Sequence, residues 1–296
     1  MSKIALITDG SCDLPKDLID KNKIHVIPFR VNFGEESYKT YGDWGTLTKE
    51  EFYQKLRTCI DFPTSSIPAP KEIHDGFKEA LSDADSVIAI FLSQKFSGLI
   101  QSAIKIKEMF QGEDITIVDS QVATSSLGAL VLHAAKMIEQ DYSKDQILTE
   151  LNTLIPKAKL VAVLDSVNEV YRSGRVGWSK KFLVVSLQIK PIVNFKDGLI
   201  VPGGTLFGRK EVVKRLKFIA PIIAKKAITD NIFIWHVQYK SVAQEIYDIM
   251  DANNFLDKEI RIQEAGPVVG THVGEKSLGI MYIGDYEKKW LTRMKI

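Results

Sequence analysis

The chain has few cysteines and few histidines. Its two cysteines among 296 residues, Cys12 and Cys59, do not form a metal-type pair. Because secreted domains of modest size usually depend on disulfides, this usage favours a cytoplasmic protein. The five histidines show no His-Glu-x-x-His spacing. We therefore expect no zinc or other metal site, and no cofactor.

Charge of one sign and long apolar runs are also missing. Lys and Arg total 39 against 37 Asp and Glu, a net charge of +2. This balance gives no reason to expect a nucleic acid partner and favours at most transient contact with a membrane. No apolar run approaches the roughly 18 residues of a membrane span. The first residues, MSKIALITDG, lead directly into a predicted strand, so no signal peptide is expected.

Three sequence motifs of common enzymes are absent. The segment GTHVGEKS (270–277) does not fit a phosphate-binding loop, because Glu275 separates Gly274 from Lys276. A predicted strand also follows it, where that motif requires a helix. No Gly-x-Ser-x-Gly elbow is present, and no glycine triad follows the first strand. These absences argue against a serine hydrolase and a dinucleotide enzyme.

What the chain does contain is a well-marked strand, loop and helix in residues 86–110. An unbroken apolar run at 87–92 predicts a strand buried on both faces, and the spacing from Leu99 to Phe110 predicts a helix packed on a sheet. The unpaired N–H groups at such a helix start favour an anionic group at the carboxyl edge of the sheet. Ser97 lies at this start, where it could cap the helix or bind a ligand's oxygen.

The first half alternates strands and helices. Short polar pairs follow its predicted strands at Thr8-Asp9, Asp119-Ser120 and Asp165-Ser166. In a doubly wound fold, such residues collect at the edge where ligands bind. We therefore predict an α/β protein whose N-terminal domain, residues 1–160, has a Rossmann-like, mostly parallel sheet. Asp9, Ser11 and Asp13 are interpreted as strand-end and cap residues, and Asp9 and Ser11 could alternatively belong to a site.

The second half mixes hairpin and crossover connections. We predict an apolar helix at 181–188, a hairpin over 190–207 that turns at 196–198, and a basic helix from Arg209 to about 226. Strands are predicted at 160–164, 232–237, 259–263 and 278–283, with a helix at 242–253. The pattern predicts a C-terminal domain, residues 161–296, with a mixed α/β sheet.

Several segments leave two interpretations open. Residues 25–33 predict a strand that is bent or lies at a sheet edge, because they contain Pro28. Residues 34–46 predict a surface excursion. The segment FPTSSIPAP (62–70) predicts a rigid, irregular loop that presents three hydroxyls or begins a helix at 71. His272, among three glycines, could be a packed residue or a functional one. Arg175 and Arg209 could contact a partner, an anion or only solvent.

Taken together, these segments resemble the DegV family. The matching stretches occur in the family's order and cover nearly the whole chain: ITDGSCDLP, VIPFRVNFGEESY, FPTSSIPAP, SQKFSGLIQSA, IVDSQVATSSLG, YRSGRVG, KPIV and GPVVGTHVG. The resemblance implies two α/β domains with a long-chain fatty acid between them. It also implies a non-catalytic role as the lipid-binding subunit of a bacterial fatty acid kinase, in phospholipid metabolism.

The resemblance assigns roles to individual residues. The family's head-group serine corresponds to Ser97, and the carboxylate-side threonine of its proline-containing loop to Ser65, or to Thr64 if the loop is shifted by one. The histidine of the glycine-rich loop corresponds to His272. Arg175 and Arg209 resemble positions used in docking the kinase and in phosphate transfer.

Two alternatives to a fatty acid carrier remain at this stage. A free-standing enzyme could act on a small carboxylate or phosphate ligand at the sheet edge. A protein that has lost its ligand could act only through interactions with partners. The ligand that accompanies the purified protein distinguishes these three hypotheses.

Overall fold

The fold was analysed in a computed structural model, which describes residues 2–40, 45–165, 170, 172, 174 and 188–291. Within these residues the chain forms a mixed α/β structure with a parallel sheet and a larger mixed sheet, in agreement with the predicted fold class. The predictions for Arg175 and for Ser166, and the predicted helix at 181–188 except for its last residue, concern residues outside the described part.

The first sheet has four parallel strands in the order β2-β1-β6-β7. Its strands are β1 (Ile4–Asp9), β2 (Ile24–Ile27), β6 (Ser86–Phe91) and β7 (Asp114–Asp119). Strand β6 lies in the interior of the sheet and is buried along its whole length, as its continuous apolar run predicts. The first four helices are α1 (Lys16–Lys21), α2 (Lys49–Thr58), α3 (Pro70–Ser82) and α4 (Leu99–Lys107).

A small second sheet corrects three predictions. Its order is β4-β3-β5, with β3 (Phe29–Phe33), β4 (Glu36–Thr40) and β5 (Thr64–Ser66). The predicted strand at 25–33 is therefore two strands, which separate at Pro28 and join different sheets. The predicted surface excursion begins with β4, which pairs with β3. The predicted irregular loop contains β5, because its three residues, Thr64–Ser66, lie between prolines and keep the N–H groups that pairing requires.

The third sheet has six strands in the order β10-β9-β8-β13-β11-β12. They are β8 (Ala158–Val163), β9 (Ile189–Lys196), β10 (Leu199–Phe207), β11 (Asn231–His236), β12 (Glu259–Glu264) and β13 (Leu278–Ile283). The hairpin of β9 and β10 and its turn confirm the prediction, with positive φ at Asp197 and Gly198. The β11–β12 pair is parallel and the other pairs are antiparallel, so the sheet is mixed as predicted.

Side chains alternate between the two faces of this sheet. Val161, Ile234 and Ile280 pack against α7 (Gly208–Lys226) and α8 (Lys240–Asp251). Ala162 and Trp235 instead belong to the core that the sheet shares with the four-stranded sheet. This separation follows from the period of two along a strand.

A long buried helix fills the space between the two large sheets. Helix α5 (Thr124–Glu139) contacts β1 and β6 on one side and β8, β11 and β13 on the other. Gly128 allows its close approach to the first half, because a Cβ there would lie 2.8 Å from the backbone oxygen of Cys12. The sequence pattern predicts a helix at 145–155, where α6 (Lys144–Leu154) forms, but it predicts neither α5 nor the short α9 (Pro267–Gly270). None of the helices described is both long and apolar enough to cross a membrane.

Candidate functional site

The candidate site is a cavity of about 210 Å³ between the two large sheets. Both halves of the chain contribute to its wall, and most of the lining is apolar. The lining residues are Ser11, Phe29, Ser65, Ser66, Ile67, Leu92, Phe96, Ser97, Gly98, Ala123, Thr124, Leu160, Ala162, Leu164, Val170, Val193, Phe195, Ile200, Trp235, Val268, Val269, His272, Val273 and Met281.

The six-stranded sheet supplies much of the apolar wall. Leu160 and Ala162 on β8, Val193 on β9 and Met281 on β13 all point from the same face. They are buried and carry no polar side-chain group. Such a wall binds hydrocarbon, which gains free energy by leaving water.

A serine and a histidine form a polar pair on the cavity wall. The Ser65 hydroxyl and His272 Nε2 lie 2.7 Å apart, although the two residues are 207 positions apart in the chain. Pairing with β3 fixes Ser65, and the turn after α9, where the His272 N–H donates to the Val269 oxygen, fixes the histidine. Gly270 permits this arrangement, because a Cβ there would lie 2.7 Å from the Phe52 ring.

Ser97 lies on the same cavity at the start of α4. Its Oγ accepts a hydrogen bond from the Leu99 N–H at 3.2 Å, so the residue does contribute to capping the helix. Accepting this bond leaves the hydroxyl its own O–H to donate. The two roles considered for Ser97 are therefore compatible.

Thr64, the alternative to Ser65, lies outside the set of lining residues. Its side chain is exposed, and its Oγ1 accepts a weak hydrogen bond from Asn32 Nδ2 at 3.5 Å. Its neighbour Ser66 does line the cavity, and it accepts a hydrogen bond from the same amide at 3.3 Å.

Asp9 and Ser11 form a turn at the carboxyl end of β1. The Asp9 carboxylate accepts hydrogen bonds from Ser11 N–H at 2.9 Å, Ser11 Oγ at 2.6 Å and Leu92 N–H at 2.7 Å. Burial raises the pKa of Asp9 to about 6, although the hydrogen bonds from Ser11 and Leu92 partly oppose that rise. The turn interpretation of Asp9 is thus correct, while Ser11 also borders the cavity.

Asp13 is a second buried carboxylate, which joins three separate parts of the chain. Its Oδ2 accepts from Thr124 Oγ1 at 2.5 Å and from Trp235 Nε1 at 3.3 Å, and its Oδ1 accepts from the Gly266 N–H at 3.0 Å. Burial raises the pKa of Asp13 to about 6, against the effect of these hydrogen bonds. From the sequence this residue was assigned only strand-end and cap chemistry.

The tip of the β9–β10 hairpin contacts the loop that holds Ser97. Ser93 Oγ donates to the Gly198 oxygen at 2.8 Å, and the rings of Phe96 and Phe195 lie 5.8 Å apart. A Cβ at Gly198 would lie 2.7 Å from Ser93 Oγ, so this close contact requires glycine. The hairpin thereby joins the two halves beside the cavity.

Arg209 lies apart from the cavity, at the start of α7. Its guanidinium donates to both carboxylate oxygens of Asp165, at 3.2 and 3.3 Å, and Lys190 Nζ lies 2.8 Å from Asp165 Oδ1. Burial raises the pKa of Asp165, but the hydrogen bonds from Lys190 and Arg209 outweigh it and keep that pKa below its usual value. Arg209 also borders a basic surface groove with Lys210, Lys214 and Lys217.

The cavity therefore combines a hydrocarbon-binding wall with a small cluster of hydrogen-bonding groups. Among the described residues that line it, His272 contributes an imidazole group beside the serine hydroxyls. Hydroxyl and imidazole groups can bind a carboxylate away from bulk water. An elongated apolar molecule with one terminal carboxyl group matches this chemistry.

Comparisons with known proteins agree with this chemistry. The model of a family described as "Uncharacterised protein, DegV family" matches residues 3–285. A DegV domain-containing protein of Caldanaerobacter subterraneus subsp. tengcongensis is 33% identical over 285 residues, covering 95% of this chain and 99% of that one.

Two solved structures share the fold. A fatty-acid-binding DegV family protein of Thermus thermophilus has a TM-score of 0.84 and 28% identity, covering 95% of this chain and 99% of the other. DegV of Bacillus subtilis, described as a fatty acid binding protein, has the same TM-score and identity, with coverage of 96% and 100%.

Proposed function

Because the chain belongs to the DegV family, we propose that it binds a long-chain fatty acid in the cavity between its sheets and presents the carboxyl group to a partner fatty acid kinase. In this role the chain is a substrate-presenting protein and not itself a catalyst. The observation that carries the proposal is a largely apolar cavity whose wall includes the Ser65–His272 pair and Ser97.

The head group would be held by hydrogen bonds from Ser97, Ser65 and His272. Both serine hydroxyls can donate to a carboxylate, and the imidazole can donate or orient Ser65, depending on its tautomer. Ser65 is preferred to Thr64 because it lines the cavity and is paired with His272. Hydrogen bonds to a charged group contribute about 1.5–3 kcal/mol each, so this cluster fixes the carboxyl end.

The acyl chain would lie against the apolar wall. Each buried CH₂ contributes about 0.8 kcal/mol, so several methylenes outweigh any single head-group bond. Fatty acid binding by the Thermus thermophilus and Bacillus subtilis proteins, with 28% identity over nearly the whole chain, supports the same ligand class here.

We propose that two domains enclose this ligand and that the boundary expected after residue 160 lies instead at the start of β8 (Ala158–Val163), because a division after residue 160 would cut that strand. Every described strand before residue 158 belongs to the parallel sheet or the small sheet, and every described strand from β8 onward belongs to the six-stranded sheet. The wall of the cavity draws on both groups of strands.

The kinase would dock beside Arg209 and, by the family resemblance, Arg175. The basic groove of Arg209, Lys210, Lys214 and Lys217 supports this role for Arg209, since it complements an acidic or phosphorylated partner surface. In an assay with ATP and a fatty acid kinase catalytic subunit, Arg209→Ala should lower acyl phosphate formation without loss of bound lipid. Lys225→Ala, at the other end of α7, is the matched control; equal losses in both variants would contradict the assignment.

Native mass spectrometry of the purified protein, followed by lipid extraction, tests the ligand. One fatty acid per chain is expected, and a Ser97→Ala/His272→Ala double variant should lose it or exchange it readily. Thr64→Ala, beside Ser65 but outside the cavity, is the control and should retain it. A small polar metabolite would favour the enzyme alternative, and no lipid with no uptake of added oleate or palmitate would contradict the proposal.

A further inference from the structure

The buried carboxylate of Asp13 connects segments that are far apart in the chain. Asp13 follows the first strand, Thr124 begins α5, Trp235 lies on β11, and Gly266 precedes α9. We use "the Asp13 junction" for these four residues. One carboxylate therefore accepts hydrogen bonds from three elements that are distant in sequence, one of them in its own half and two in the other.

Each partner of Asp13 belongs to the wall of the cavity or leads to it. Thr124 and Trp235 line the cavity directly. Gly266 is the N-cap residue of α9, and the helix and the turn after it place Val268, Val269 and His272 on the wall. A displacement of any of these three donors would therefore move a part of the binding surface.

The backbone at the junction adopts conformations that need support. Asp13 has a φ of 55° and Thr124 a φ of 54°, both in the left-handed region. For a β-branched residue such as threonine this region is strained, and such strain persists only where surrounding contacts determine it. The short hydrogen bond between these two side chains is one such contact.

The lack of a side chain at Gly266 is independent evidence that this residue and Asp13 are in close contact. A Cβ at this position would lie 2.6 Å from Asp13 Oδ1, a distance that side chains do not tolerate. A side chain at position 266 would therefore force the Asp13 carboxylate to shift from the position in which it accepts the Gly266 N–H.

From this geometry we propose that Asp13 is the positioning residue of the fatty acid site: it holds the α9 turn with His272, the start of α5 and Trp235 in register around the ligand. The inference rests on the proposed fatty acid binding. It assigns to Asp13 no contact with the ligand, because Asp13 is not among the residues that line the cavity.

An asparagine at position 13 tests the role with almost no change of shape. Asparagine has one accepting oxygen and an NH₂ group that cannot accept, so either the Gly266 N–H or the Trp235 Nε1–H would face a donor. In delipidated protein, Asp13→Asn should weaken oleate binding at least about tenfold. Met250→Ala, in the core on the other side of the six-stranded sheet, serves as a control that loses stability without touching the cavity.

A double-mutant cycle separates positioning from general destabilisation. Trp235→Phe removes the donor that an asparagine at position 13 leaves without an acceptor, so Asp13→Asn should weaken oleate binding less than about threefold in that background. The indole N–H resonance of Trp235, identified by its loss in Trp235→Phe, should shift in Asp13→Asn and remain in place in Met250→Ala. Equal tenfold losses in both backgrounds, or an equal loss in Met250→Ala, would overturn the proposal.

Two further measurements keep the test decisive. If Asp13→Asn does not fold, Thr124→Val, which removes one donor and keeps the side-chain shape, should weaken oleate binding and speed amide exchange over residues 267–273. If the wild-type protein itself does not bind oleate, the proposed function fails. Unchanged amide exchange at 267–273 in Asp13→Asn or Thr124→Val would overturn the positioning role on its own.

Discussion

The two large sheets contribute to the cavity in different ways. The four-stranded sheet acts through its carboxyl edge, where the loops after β1 and β6 carry Ser11 and Ser97. The six-stranded sheet acts through one of its faces, which presents the apolar side chains of Ala162, Trp235 and Met281.

For the proposed fatty acid ligand, this difference would separate recognition of the head group from recognition of the acyl chain. Loops at a sheet edge expose backbone and hydroxyl groups, which suit a polar group. A sheet face offers alternate side chains over a broad area, which suits hydrocarbon. Substitutions in the two regions should therefore change binding in distinguishable ways.

The largest effect is expected on the face of the six-stranded sheet. Ala162→Phe should fill part of the cavity and displace about four methylenes, weakening fatty acid binding by about 3 kcal/mol, or more than 100-fold. Its neighbour Val161 points to the opposite face, so Val161→Phe should lower the free energy of unfolding by about 1–3 kcal/mol and leave the affinity of the folded protein unchanged. Lipid titration combined with urea unfolding distinguishes the two; reduced affinity in Val161→Phe would contradict the division between faces.

The next largest effect is expected on the pH dependence of stability, through the Asp13 carboxylate that joins the two halves. Burial raises the pKa of Asp13 to about 6 from 3.8, so the folded protein binds a proton more readily than the unfolded chain. The resulting stability is fully present below about pH 3.8 and is lost as pH rises through 6. Asp13→Asn removes this dependence, so its deficit in unfolding free energy should be about 2.4 kcal/mol larger at pH 4 than at pH 7.5.

The comparison with Asp13→Asn is needed because other groups titrate in the same range. Burial lowers the pKa of His236 to about 4, which favours the folded state as pH rises, and Asp9 has the same sign as Asp13. These contributions are common to wild type and variant and cancel in the difference. Lys49 is the charged group that acts electrostatically on Asp13, and it lowers the pKa of that carboxyl. Urea unfolding at the two pH values measures the effect; a deficit independent of pH would contradict it.

A smaller effect is expected at the sheet edge. Ser97→Ala should remove one hydrogen bond to the carboxyl group and weaken binding about tenfold, since a bond to a charged group contributes about 1.5–3 kcal/mol. The factor should be the same for myristate and stearate, because the serine acts on the head group alone. Competition binding with both lipids measures this loss of affinity. A loss that differs between myristate and stearate would contradict the separation of head-group binding at the sheet edge from acyl-chain binding at the sheet face.

The smallest effect is expected where the hairpin of the second half meets the loop of the first. Ser93→Ala removes the hydrogen bond to the Gly198 oxygen and should lower the free energy of unfolding by about 1 kcal/mol. Ser82→Ala, which removes a surface hydrogen bond within the end of α3, is the control and should change stability less. If lipid exchanges faster in Ser93→Ala but not in Ser82→Ala, the contact between Ser93 and Gly198 also helps to retain the ligand.

Much of the second half could be predicted from local pattern. The hairpin turn at Asp197-Gly198 and the strand at 278–283 were placed correctly, because alternation and turn residues act over a few positions. Strand β5 was not predicted, since its three residues lie between prolines and form a strand only by pairing with β3. Helix α5 was missed although its apolar content is high. Because it is buried between two sheets, its apolar residues surround the helix and do not form the one-sided stripe that predicts an amphipathic helix.

The candidate site shows the same limit. Motif resemblance predicted Ser97, Ser65 and His272 as a group, and all three line one cavity. It could not choose between Ser65 and Thr64, because that choice depends on which way side chains point from β5. Asp13 was interpreted as a cap residue, since its partners Trp235 and Gly266 are more than 220 positions away.

The α/β class, most strands and helices, the family and the group of head-group candidates could all be predicted from the amino-acid sequence. These depend on periodicity, turn chemistry and motif order, which are local properties of the chain. The tertiary structure alone decided that one face of the six-stranded sheet forms the hydrocarbon wall, that Ser65 and not Thr64 meets His272, and that Asp13 joins both halves. Each of these depends on contacts between segments far apart in sequence, which no local pattern encodes.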